Sequence, residues 1–468
     1  MNQGLLKKRE VPEGDTKNIL QASKIGQDST PLFRPYQGSI YCPASICQVR
    51  HAIIVGMQNL ASKMEERLPQ ELLSFLRLAG EVAQAQGQKL YLVGGVVRDL
   101  ILGRPNLDFD LVVEGDAPRL ARQLARASGE KVVVHHRFGT AKFHRGDLSI
   151  DLVTARSETY SRPGALPKVE PGEIGDDLFR RDFSINAMAI ALSPASLGEL
   201  VDPYRGRVDL EQRLIRILHQ RSFIDDATRI LRALRYEQRL GFQLEEATER
   251  LLREQKSMLD TISGDRIRHE LELILKEEQP ERILYRAEIL GVLQELHPSL
   301  KGNGWLAEKF HQARRISPPD PALYLSLLLY RLTEEENERL LARLNIVGEL
   351  GRNLRQVLRL KAELPSLADP ALPRSGIYRL LKPYSPTAVT ACSLASDSPI
   401  IRSHLELYLN DLRYVKSCLD GEHLMGMGVM AGPGLGRILE ALLEAKLDEW
   451  VSTKEEEEAM VRQWLEEL

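Results

Sequence analysis

Two patterns of apolar and polar positions divide the chain at about Arg180. Between residues 89 and 154, short apolar segments separated by turns predict strands at KLYLV, DFDLVVE, KVVVHH, TAKFHR and LSIDLVT. The intervening segments VVRDLILG and APRLARQLARASG have apolar residues at helical spacing. This part of the chain therefore predicts a small unit of mixed strands and helices.

Beyond Arg180 the pattern predicts long amphipathic helices and no further strands. Breaks rich in Pro and Gly fall near residues 317–321, 365–376 and 430–436. The predicted fold class is α+β, with a small mixed-sheet head followed by an elongated all-α neck, body and tail. The predicted boundaries are 64–205 for the head, 206–276 for the neck, 277–365 for the body and 366–468 for the tail.

The first 63 residues have no clear periodicity and mix Pro, Gly, Ser and Gln with short apolar runs. We expect residues 1–63 to form a poorly ordered extension. Leucines at helical spacing begin just after Met64, so Met57 and Met64 are candidate translation starts.

The composition is that of an ordinary water-soluble protein with several domains. The chain has 468 residues, 43% of them hydrophobic and 28% charged, and its net charge is −3. Nucleic-acid contacts must therefore come from local basic patches. No apolar run approaches a membrane span and no signal peptide precedes the folded part, so we expect a cytoplasmic protein with no membrane partner.

Four cysteines are too few and too scattered to form a disulfide scaffold. Cys42 and Cys47 have no second pair and no histidine at zinc spacing, which argues against a structural zinc site. The other two are Cys392 and Cys418.

The segment DFD places two carboxylates on one face of a predicted strand. Side chains alternate along a strand, so Asp108 and Asp110 point the same way and Phe109 points to the core. The two charges repel each other unless a cation lies between them. Mg²⁺ takes oxygen ligands and often has only one or two protein carboxylates plus substrate phosphates. A solvated strand edge is the alternative interpretation of such a pair.

Two glycines lie between a predicted strand and a predicted helix. At Gly94 and Gly95 the backbone N–H groups of the helix N-terminus can approach an anion, and Arg98 adds a cation one turn later. The segment lacks the second and third glycines of a dinucleotide fingerprint, and tight packing is the alternative. Asp151, on another predicted strand, is a candidate third acid for a two-metal phosphoryl-transfer site.

The order of several motifs along the chain resembles that of a known family. GGVVRD and DFD are followed by DLFRRDFSINAMAI, LVDPYRGRVDL and DDATRILRALRYEQRLGF. This order resembles the class II tRNA nucleotidyltransferases, the bacterial-type CCA-adding enzymes of the polymerase-beta nucleotidyltransferase superfamily, which are relatives of bacterial poly(A) polymerases. The resemblance extends from Lys89 to Lys276.

The resemblance implies a polymerase-beta-like nucleotidyltransferase head and roles for particular residues. It implies that Asp108 and Asp110 bind two Mg²⁺ ions, which activate the 3′ hydroxyl of the RNA and neutralise the triphosphate. It implies that Arg181 and Asp182 hold phosphate and ribose, with Asn186 nearby. The expected partners are CTP, ATP and the acceptor and T arms of tRNA, and the oligomeric state stays open.

The segment DDATR predicts a pair of residues that reads the base. At the start of a predicted helix, Asp226 and Arg229 are three apart and share one face, and Asp225 precedes them where the family more often has Glu. A carboxylate and a guanidinium together match the Watson–Crick edge of C or A, and the resemblance implies this use. A surface ion pair is the alternative. Arg232 and Arg235 continue that face, and we expect them to contact the triphosphate.

Two further segments are candidates for contacts with RNA or nucleotide. ARSETYSRPGALPKVEPGEIGDD is long and rich in Pro, Gly and charge, which predicts a functional loop. The resemblance implies that this loop assists the change from C to A addition, which argues against CC-only addition. Gly434, Gly436 and Arg437 form a predicted turn before a long helix, where backbone N–H groups can bind an RNA phosphate. A tight turn between helices is an equally open interpretation.

The predicted function is template-independent addition of the 3′-terminal CCA, or part of it, to tRNA from CTP and ATP with release of pyrophosphate. Addition of A alone, addition of CC alone and poly(A) synthesis are the alternatives, and a non-catalytic RNA-binding descendant is an alternative of another class. The segment VVVHHRFGTAKF only partly matches the G-[RK]-[RK]-F sequence typical of poly(A) polymerases.

Overall fold

The part of the chain that the structure describes begins at Asn59, five residues before the predicted boundary at Met64. The computed structural model describes residues 59–106, 108–136, 139–145, 148–316 and 320–466. Asn59 forms an isolated β-bridge with Glu199, and the first helix begins at Ala61. Leu60 and Met64 are buried in the main core, which explains the earlier start. The rest of the predicted extension, with Cys42 and Cys47, lies outside the described residues.

The predicted strands and helices of the head are confirmed. Its helices are α1 (Ala61–Arg67), α2 (Gln70–Ala85), α3 (Gly95–Leu102), α4 (Ala117–Ser128) and α5 (Ile174–Phe179), with 3₁₀ turns at Ser184–Asn186 and Pro194–Ser196. Its strands are β1 (Lys89–Val93), β2 (Asp108–Glu114), β3 (Val132–His135), β4 (Thr140–Arg145), β5 (Leu148–Thr154), β6 (Arg156–Thr159), β7 (Lys168–Pro171), β8 (Ala189–Ala191) and β9 (Leu200–Val201).

A mixed sheet of seven strands forms the head, in the order β3-β4-β5-β2-β1-β8-β9. At its centre β2 is parallel to β5 and antiparallel to β1. The prediction that strands end at about Arg180 is wrong, because β8 pairs with β1 inside this sheet. All three residues of β8 are buried, so its sequence has no alternation that would identify a strand.

The long segment predicted as a loop between Asp151 and Arg180 also contains regular structure. Strands β6 and β7 pair as an antiparallel hairpin, and α5 follows directly. The polar composition of this segment reflects its exposure, since every side chain of β7 is exposed.

The rest of the described chain is mainly helical, as predicted. Its helices are α6 (Gly206–Gln212), α7 (Ser222–Asp225), α8 (Thr228–Leu240), α9 (Glu246–Gln255), α10 (Gly264–Leu275), α11 (Pro280–Ile289), α12 (Val292–Leu296), α13 (Gly304–Ile316), α14 (Pro321–Leu329), α15 (Glu334–Arg343), α16 (Gly348–Glu363), α17 (Arg374–Leu381), α18 (Pro386–Ala395), α19 (Pro399–Asn410), α20 (Gly421–Gly426), α21 (Pro433–Leu447) and α22 (Lys454–Glu466). Two short strands, β10 (Leu214–Ile215) and β11 (Gln243–Leu244), pair in parallel, and 3₁₀ turns occupy Lys256–Thr261, Leu364–Leu367 and Leu412–Tyr414. Among the described residues, no helix combines the length and apolar character that a membrane crossing requires.

The two faces of the head sheet pack against different cores. Phe109 and Leu111 of β2 belong to a large apolar core that continues into the helical part. Val112 belongs to a smaller core on the other face, together with Tyr91 and with Leu178 of α5. Because side chains alternate along β2, Asp108 and Asp110 lie on the same face as Val112. The sheet therefore presents its two acids beside the smaller core.

Candidate active site

Most of the predicted site residues line one cleft with a volume of about 1060 Å³. Its walls come from α3, β2, the segment after α5, α8 and α10. The predicted residues that line it are Gly95, Arg98, Asp108, Asp110, Arg181, Asp182, Asn186, Asp226, Arg229 and Arg232. Residues separated by more than 100 positions in the chain thus meet in one site.

The carboxylates of the head occupy neighbouring strands. Asp110 pairs with Val93 of β1 and with Asp151 of β5, and the parallel register places Asp110 and Asp151 on the same face. Asp151 also forms an ion pair with Lys142, whose Nζ lies 3.2 Å from its Oδ2. Of these three acids, Asp108 and Asp110 line the cleft and Asp151 does not. The predicted third acid is therefore adjacent to the pair but already paired with a lysine.

The environment of Asp110 favours a bound cation. Burial raises the pKa of Asp110, and the nearby carboxylates of Asp108 and Asp151 raise it further, while Arg181 opposes this effect. Among the described residues, no group of three or more His, Cys, Asp or Glu side chains is arranged to hold a metal ion. The donor set that remains is a pair of carboxylates open to the cleft, which suits a Mg²⁺ ion that takes its other ligands from water and phosphate.

The backbone at Gly94 allows a guanidinium to approach the strand closely. Gly94 has φ +78°, and a Cβ atom there would lie 2.5 Å from Nη1 of Arg181 and 3.8 Å from Oδ2 of Asp110. A side chain would therefore be both strained and in collision. Gly95, the first residue of α3, lines the cleft with the N-terminus of that helix.

Arg98 lies at the cleft but its charge is already neutralised. Its Nε and Nη2 donate to the two carboxylate oxygens of Asp99 at 2.9 and 2.8 Å, and its Nη1 donates to Oδ1 of Asn186 at 2.6 Å. Its guanidinium also lies 5.3 Å from the ring centroid of Tyr236. The sequence suggested a free cation for phosphate, whereas these contacts make Arg98 a support for Asn186.

Asp182 is fixed by partners on two elements. It accepts from Nη2 of Arg232 at 2.6 Å and from Nδ2 of Asn186 at 3.0 Å. Burial acts to raise the pKa of Asp182, but the charge of Arg232 and the Asn186 amide outweigh it, and the pKa is lowered. Arg232 also pairs with Glu270 of α10. A charged carboxylate is therefore held at the cleft at neutral pH.

The predicted base-reading pair meets at the cleft, but its geometry differs from the prediction. Asp226 is not helical: it has extended backbone angles between α7 and α8. Its Oδ1 accepts from the backbone N–H and Oγ1 of Thr228 and from Nη2 of Arg266. An Asp side chain readily bonds backbone N–H groups at a helix start, which explains why it precedes α8. Arg229 lies in the first turn of α8, and its Nη2 donates to the carbonyl of Arg180 at 2.6 Å.

Two predicted residues of this region, Asp225 and Arg235, are not among the residues that line the cleft. Asp225 pairs with Arg221, whose Nη2 lies 3.3 Å from its Oδ1. Arg235 is buried and pairs with Glu270 and Glu277. Helix α10 packs against α8, and these two ion pairs hold Arg235 in place. The expected contact of Arg235 with the triphosphate stays a prediction. Sequence spacing identified the helix face but not the element that covers it.

Several cleft residues were not identified from the sequence. Tyr236 follows Arg232 by one helical turn, so the spacing of the helix face was a usable signal. Glu158 and Tyr160 come from the hairpin segment, and the Tyr160 hydroxyl donates to Glu158 at 2.8 Å. Both lie in the segment whose composition predicts a functional loop, but no motif distinguishes these two residues from the rest of that segment.

The tail glycines lie inside a helix. The N-cap of α21 is Gly432, so Gly434 and Gly436 belong to its first turns rather than to the turn before it. Arg437 is exposed on the same helix. The predicted phosphate site at these residues stays a prediction, with its glycine turn moved to residues 430–432.

Two family models match the chain in the expected order. Residues 90–216 match the poly A polymerase head domain, and residues 241–302 match a probable RNA and SrmB-binding site of polymerase A. Both matches fall close to the segment on which the resemblance was based.

Curated relatives include enzymes that add different parts of the CCA end. The CC-adding tRNA nucleotidyltransferase of Deinococcus radiodurans is 33% identical over 380 residues, covering 81% of this chain and 90% of that protein. The A-adding enzyme of Geobacter sulfurreducens is 34% identical over 431 residues, which are 86% of this chain and 48% of that protein. The A-adding enzyme of Halalkalibacterium halodurans is 46% identical over 243 residues, 51% of this chain and 57% of that protein. The chain thus spans about half the length of these A-adding relatives.

Solved structures of CCA-adding enzymes have the same fold. One apo form superposes with a TM-score of 0.77 at 33% identity, covering 88% of this chain and all of that one. The Thermotoga maritima CCA-adding enzyme complexed with tRNA superposes with a TM-score of 0.71 at 33% identity, with 88% of this chain covered. With the shared fold, the matched family models and the Deinococcus enzyme aligned over nearly its whole length, the chain belongs to the family of tRNA nucleotidyltransferases and poly(A) polymerases.

Proposed function

We propose that the protein adds nucleotides without a template to the 3′ end of tRNA, taking CTP and ATP, requiring Mg²⁺ and releasing pyrophosphate. The observation that carries the proposal is the cleft, where the carboxylate pair of β2 faces Arg181, the buried Asp182 and the pair Asp226 and Arg229. Relatives that add CC, A or CCA support the same substrate class.

Asp108 and Asp110 are the residues that would hold the divalent cation. When bound, such a cation neutralises triphosphate charge and lowers the pKa of a hydroxyl nucleophile. The reaction joins the 3′ oxygen of the RNA to the α-phosphorus and breaks the bond from that phosphorus to pyrophosphate. Little covalent chemistry falls to the protein, so positioning and charge complementarity supply most of the rate.

The other cleft residues bind the nucleotide. Arg181 lies against the backbone of Gly94 and is placed to donate to the triphosphate. Asp182, charged and held by Arg232 and Asn186, accepts from a ribose hydroxyl, which distinguishes a ribonucleotide from a deoxyribonucleotide.

The pair Asp226 and Arg229 selects the base. The three hydrogen bonds that Asp226 accepts from Thr228 and Arg266 all use Oδ1, which leaves Oδ2 to accept from the amino group of adenine or cytosine. Arg229 donates to the adjacent ring nitrogen. Guanine and uracil present a carbonyl and an N–H at these positions. Their carbonyl would face the Asp226 carboxylate, which is also an acceptor, and their N–H would face the Arg229 guanidinium, which is also a donor.

The decisive experiment is an extension assay with three tRNA transcripts, ending at the discriminator base, at C or at CC. Purified protein with Mg²⁺ receives CTP, ATP or both. Extension of all three transcripts to CCA identifies full CCA addition, and long tails of A identify a poly(A) polymerase. Tight binding without extension would contradict the proposal and identify a binding protein.

Addition of A alone is the second candidate function. It is the activity named for the relatives from Geobacter sulfurreducens and Halalkalibacterium halodurans, which are 34% and 46% identical over 86% and 51% of this chain. In the same assay, A addition predicts extension of only the transcript that ends in CC. A cytoplasmic location stays a prediction.

A further inference from the structure

Asp177, near the end of α5, places one buried carboxylate between two arginines of the cleft. Its side chain has no exposed surface. Oδ1 accepts from Nε and Nη2 of Arg180 at 2.9 and 2.6 Å, and Oδ2 accepts from Nε and Nη2 of Arg181 at 3.3 and 3.0 Å. The spacing of three and four residues brings both guanidinium groups to the same side of the helix end.

The hydrogen bonds from Arg181 to Asp177 connect this carboxylate to the side of the cleft that is proposed to bind the triphosphate. Asp177 accepts hydrogen bonds from Nε and Nη2 of this guanidinium, and the remaining nitrogen, Nη1, lies against Gly94. The position and rotation of Arg181 are therefore set by the buried carboxylate behind it. Without this partner, the long side chain would have several rotamers available, and ordering it would cost entropy each time a nucleotide binds.

The hydrogen bonds from Arg180 to Asp177 connect this carboxylate to the side of the cleft where Arg229 is proposed to read the base. The carbonyl oxygen of Arg180 accepts from Nη2 of Arg229 at 2.6 Å, and its side chain also contacts Glu158 at 3.4 Å. The backbone at Arg180 thus holds Arg229, and Asp177 anchors the side chain of the same residue. A displacement at Arg180 would be transmitted directly to the group that reads the base.

The charges within this cluster are balanced, because Asp177 pairs with Arg180 and Arg181 and Arg180 also pairs with the carboxylate of Glu158. A buried ion pair is weak evidence for a stabilising role, because desolvation offsets much of its attraction. The contacts of both arginines with cleft residues point instead to a role in orientation.

We propose that Asp177 is a positioning residue that aligns the triphosphate-binding Arg181 and, through Arg180, the base-reading Arg229. This inference rests on the proposed function and extends it to a residue that does not contact substrate. Asp177 couples two properties that are otherwise separate, nucleotide affinity and choice of base.

The test compares Asp177→Asn with Asp176→Asn in the full chain. Asp176 is the neighbouring residue on α5, is exposed, and accepts from the backbone N–H of Glu173 rather than from either arginine. Both variants undergo the same chemical change. Asp177→Asn should weaken ATP binding about 10-fold and lower the preference for A and C over G and U about 10-fold, as misplaced groups in an active site commonly do. Asp176→Asn should change either quantity less than about 2-fold.

A second variant separates the hydrogen bonds of Arg180 from those of Arg181 and guards against a fold defect. Arg180→Met keeps the buried carboxylate paired with Arg181, so it should lower base preference about 10-fold and change ATP affinity less than about 3-fold. Direct ATP binding, measured by calorimetry, reports on Asp177 even if no transcript is extended. A lack of extension in the wild-type protein would overturn the proposed function alone.

The proposal is overturned if folded Asp177→Asn matches Asp176→Asn in both ATP affinity and base preference. If Asp177→Asn does not fold, the proposal depends on Arg180→Met. Unchanged base preference in that variant, or a loss of base preference and ATP affinity together, overturns it.

Discussion

Arg98 donates to both oxygens of Asp99, and Arg235 lies between Glu270 and Glu277. Arg229, by contrast, has backbone carbonyl oxygens of Ser222 and Arg180 as its partners. A carbonyl orients a guanidinium without cancelling its charge. At the scale of single residues, partner type therefore distinguishes Arg229, which has no carboxylate ion-pair partner among the described residues, from Arg98 and Arg235.

Arg229→Gln should lose the distinction between bases while retaining part of the turnover. One bidentate contact to a base edge contributes about 1–3 kcal/mol of discrimination, or roughly 5- to 150-fold. Single-nucleotide extension with each of the four NTPs measures the change. Arg221→Gln is the control, since Arg221 is exposed and pairs with Asp225 outside the cleft. An unchanged ratio of correct to incorrect addition would refute base reading by Arg229.

His219 provides a second measurement in the same variant. Burial and the charge of Arg229 lower the pKa of His219 to about 4, so its ring is neutral across pH 5–8. Removing the charge of Arg229 should raise this pKa, which NMR titration of the ring protons detects. The folded pKa lies below the ordinary value of 6.5, so His219 contributes stability above pH 6.5 that is lost as the pH falls toward 4.

At the scale of elements, one carboxylate joins the tail helices. Glu457 lies in the first turn of α22 and has no exposed side-chain surface. It accepts from the backbone N–H groups of Cys418 and Leu419, from Oγ of Ser417 and from Nζ of Lys446 in α21. The tail also has its own small apolar core, which includes Leu442 and Val461. The contacts of Glu457 therefore set how α21, α22 and the preceding segment pack.

Glu457→Gln should destabilise the protein by about 1–3 kcal/mol, because charge-assisted hydrogen bonds are lost in a buried position. Burial acts to raise the pKa of Glu457, but the backbone hydrogen bonds outweigh it and lower the pKa to about 2. The group therefore contributes stability that is complete above about pH 4.5 and is lost as the pH falls toward 2.

Thermal unfolding of wild type and Glu457→Gln between pH 2 and 7 tests whether the stability contributed by Glu457 is lost at low pH. The difference in thermal midpoint between wild type and Glu457→Gln should become smaller as the pH falls below 4.5. Glu458→Gln is the matched control: Glu458 pairs with the exposed Arg462 four residues away, so its loss of unfolding free energy should stay below about 0.5 kcal/mol. Equal costs for the two variants at pH 7 would contradict the assigned role.

At the scale of the whole molecule, the two walls of the cleft share one core. Phe109 and Leu111 of β2 and Ile230 and Leu234 of α8 belong to the same continuous apolar cluster. The strand that carries the acids and the helix that carries Arg229 are thus fixed relative to each other by packing. A site that selects bases without a template needs such fixed distances, because the protein groups replace the template strand.

This core also predicts how the protein responds to metal removal. The apolar cluster consists of hydrophobic side chains, and the acids lie at the cleft rather than in the core. EDTA should therefore abolish extension and shift the thermal midpoint by less than about 3 °C, a change that corresponds to about 3 kcal/mol for a chain of this length. Adding Mg²⁺ back should restore extension. A much larger fall of the midpoint would show that the metal supports the fold.

The sequence by itself determined the features that depend on local geometry. Short apolar segments separated by turns predicted β1, β2 and β5. Asp108 and Asp110 were placed on one face because successive side chains of a strand point to opposite sides. The order of the motifs identified the family, since that order is a property of the chain alone. The mixed head and the helical remainder followed from the same two periodicities.

Only the tertiary structure decided which partner each charged group has. Arg235 and Arg232 share a helix face in the sequence, yet Arg235 is buried against Glu270 and Glu277 while Arg232 reaches Asp182. Asp177 begins the motif DLFRRDFSINAMAI, but the motif does not show that this one carboxylate pairs with both Arg180 and Arg181. The choice between substrate and structural partner depends on which distant element covers a side chain, and a local pattern does not contain that information.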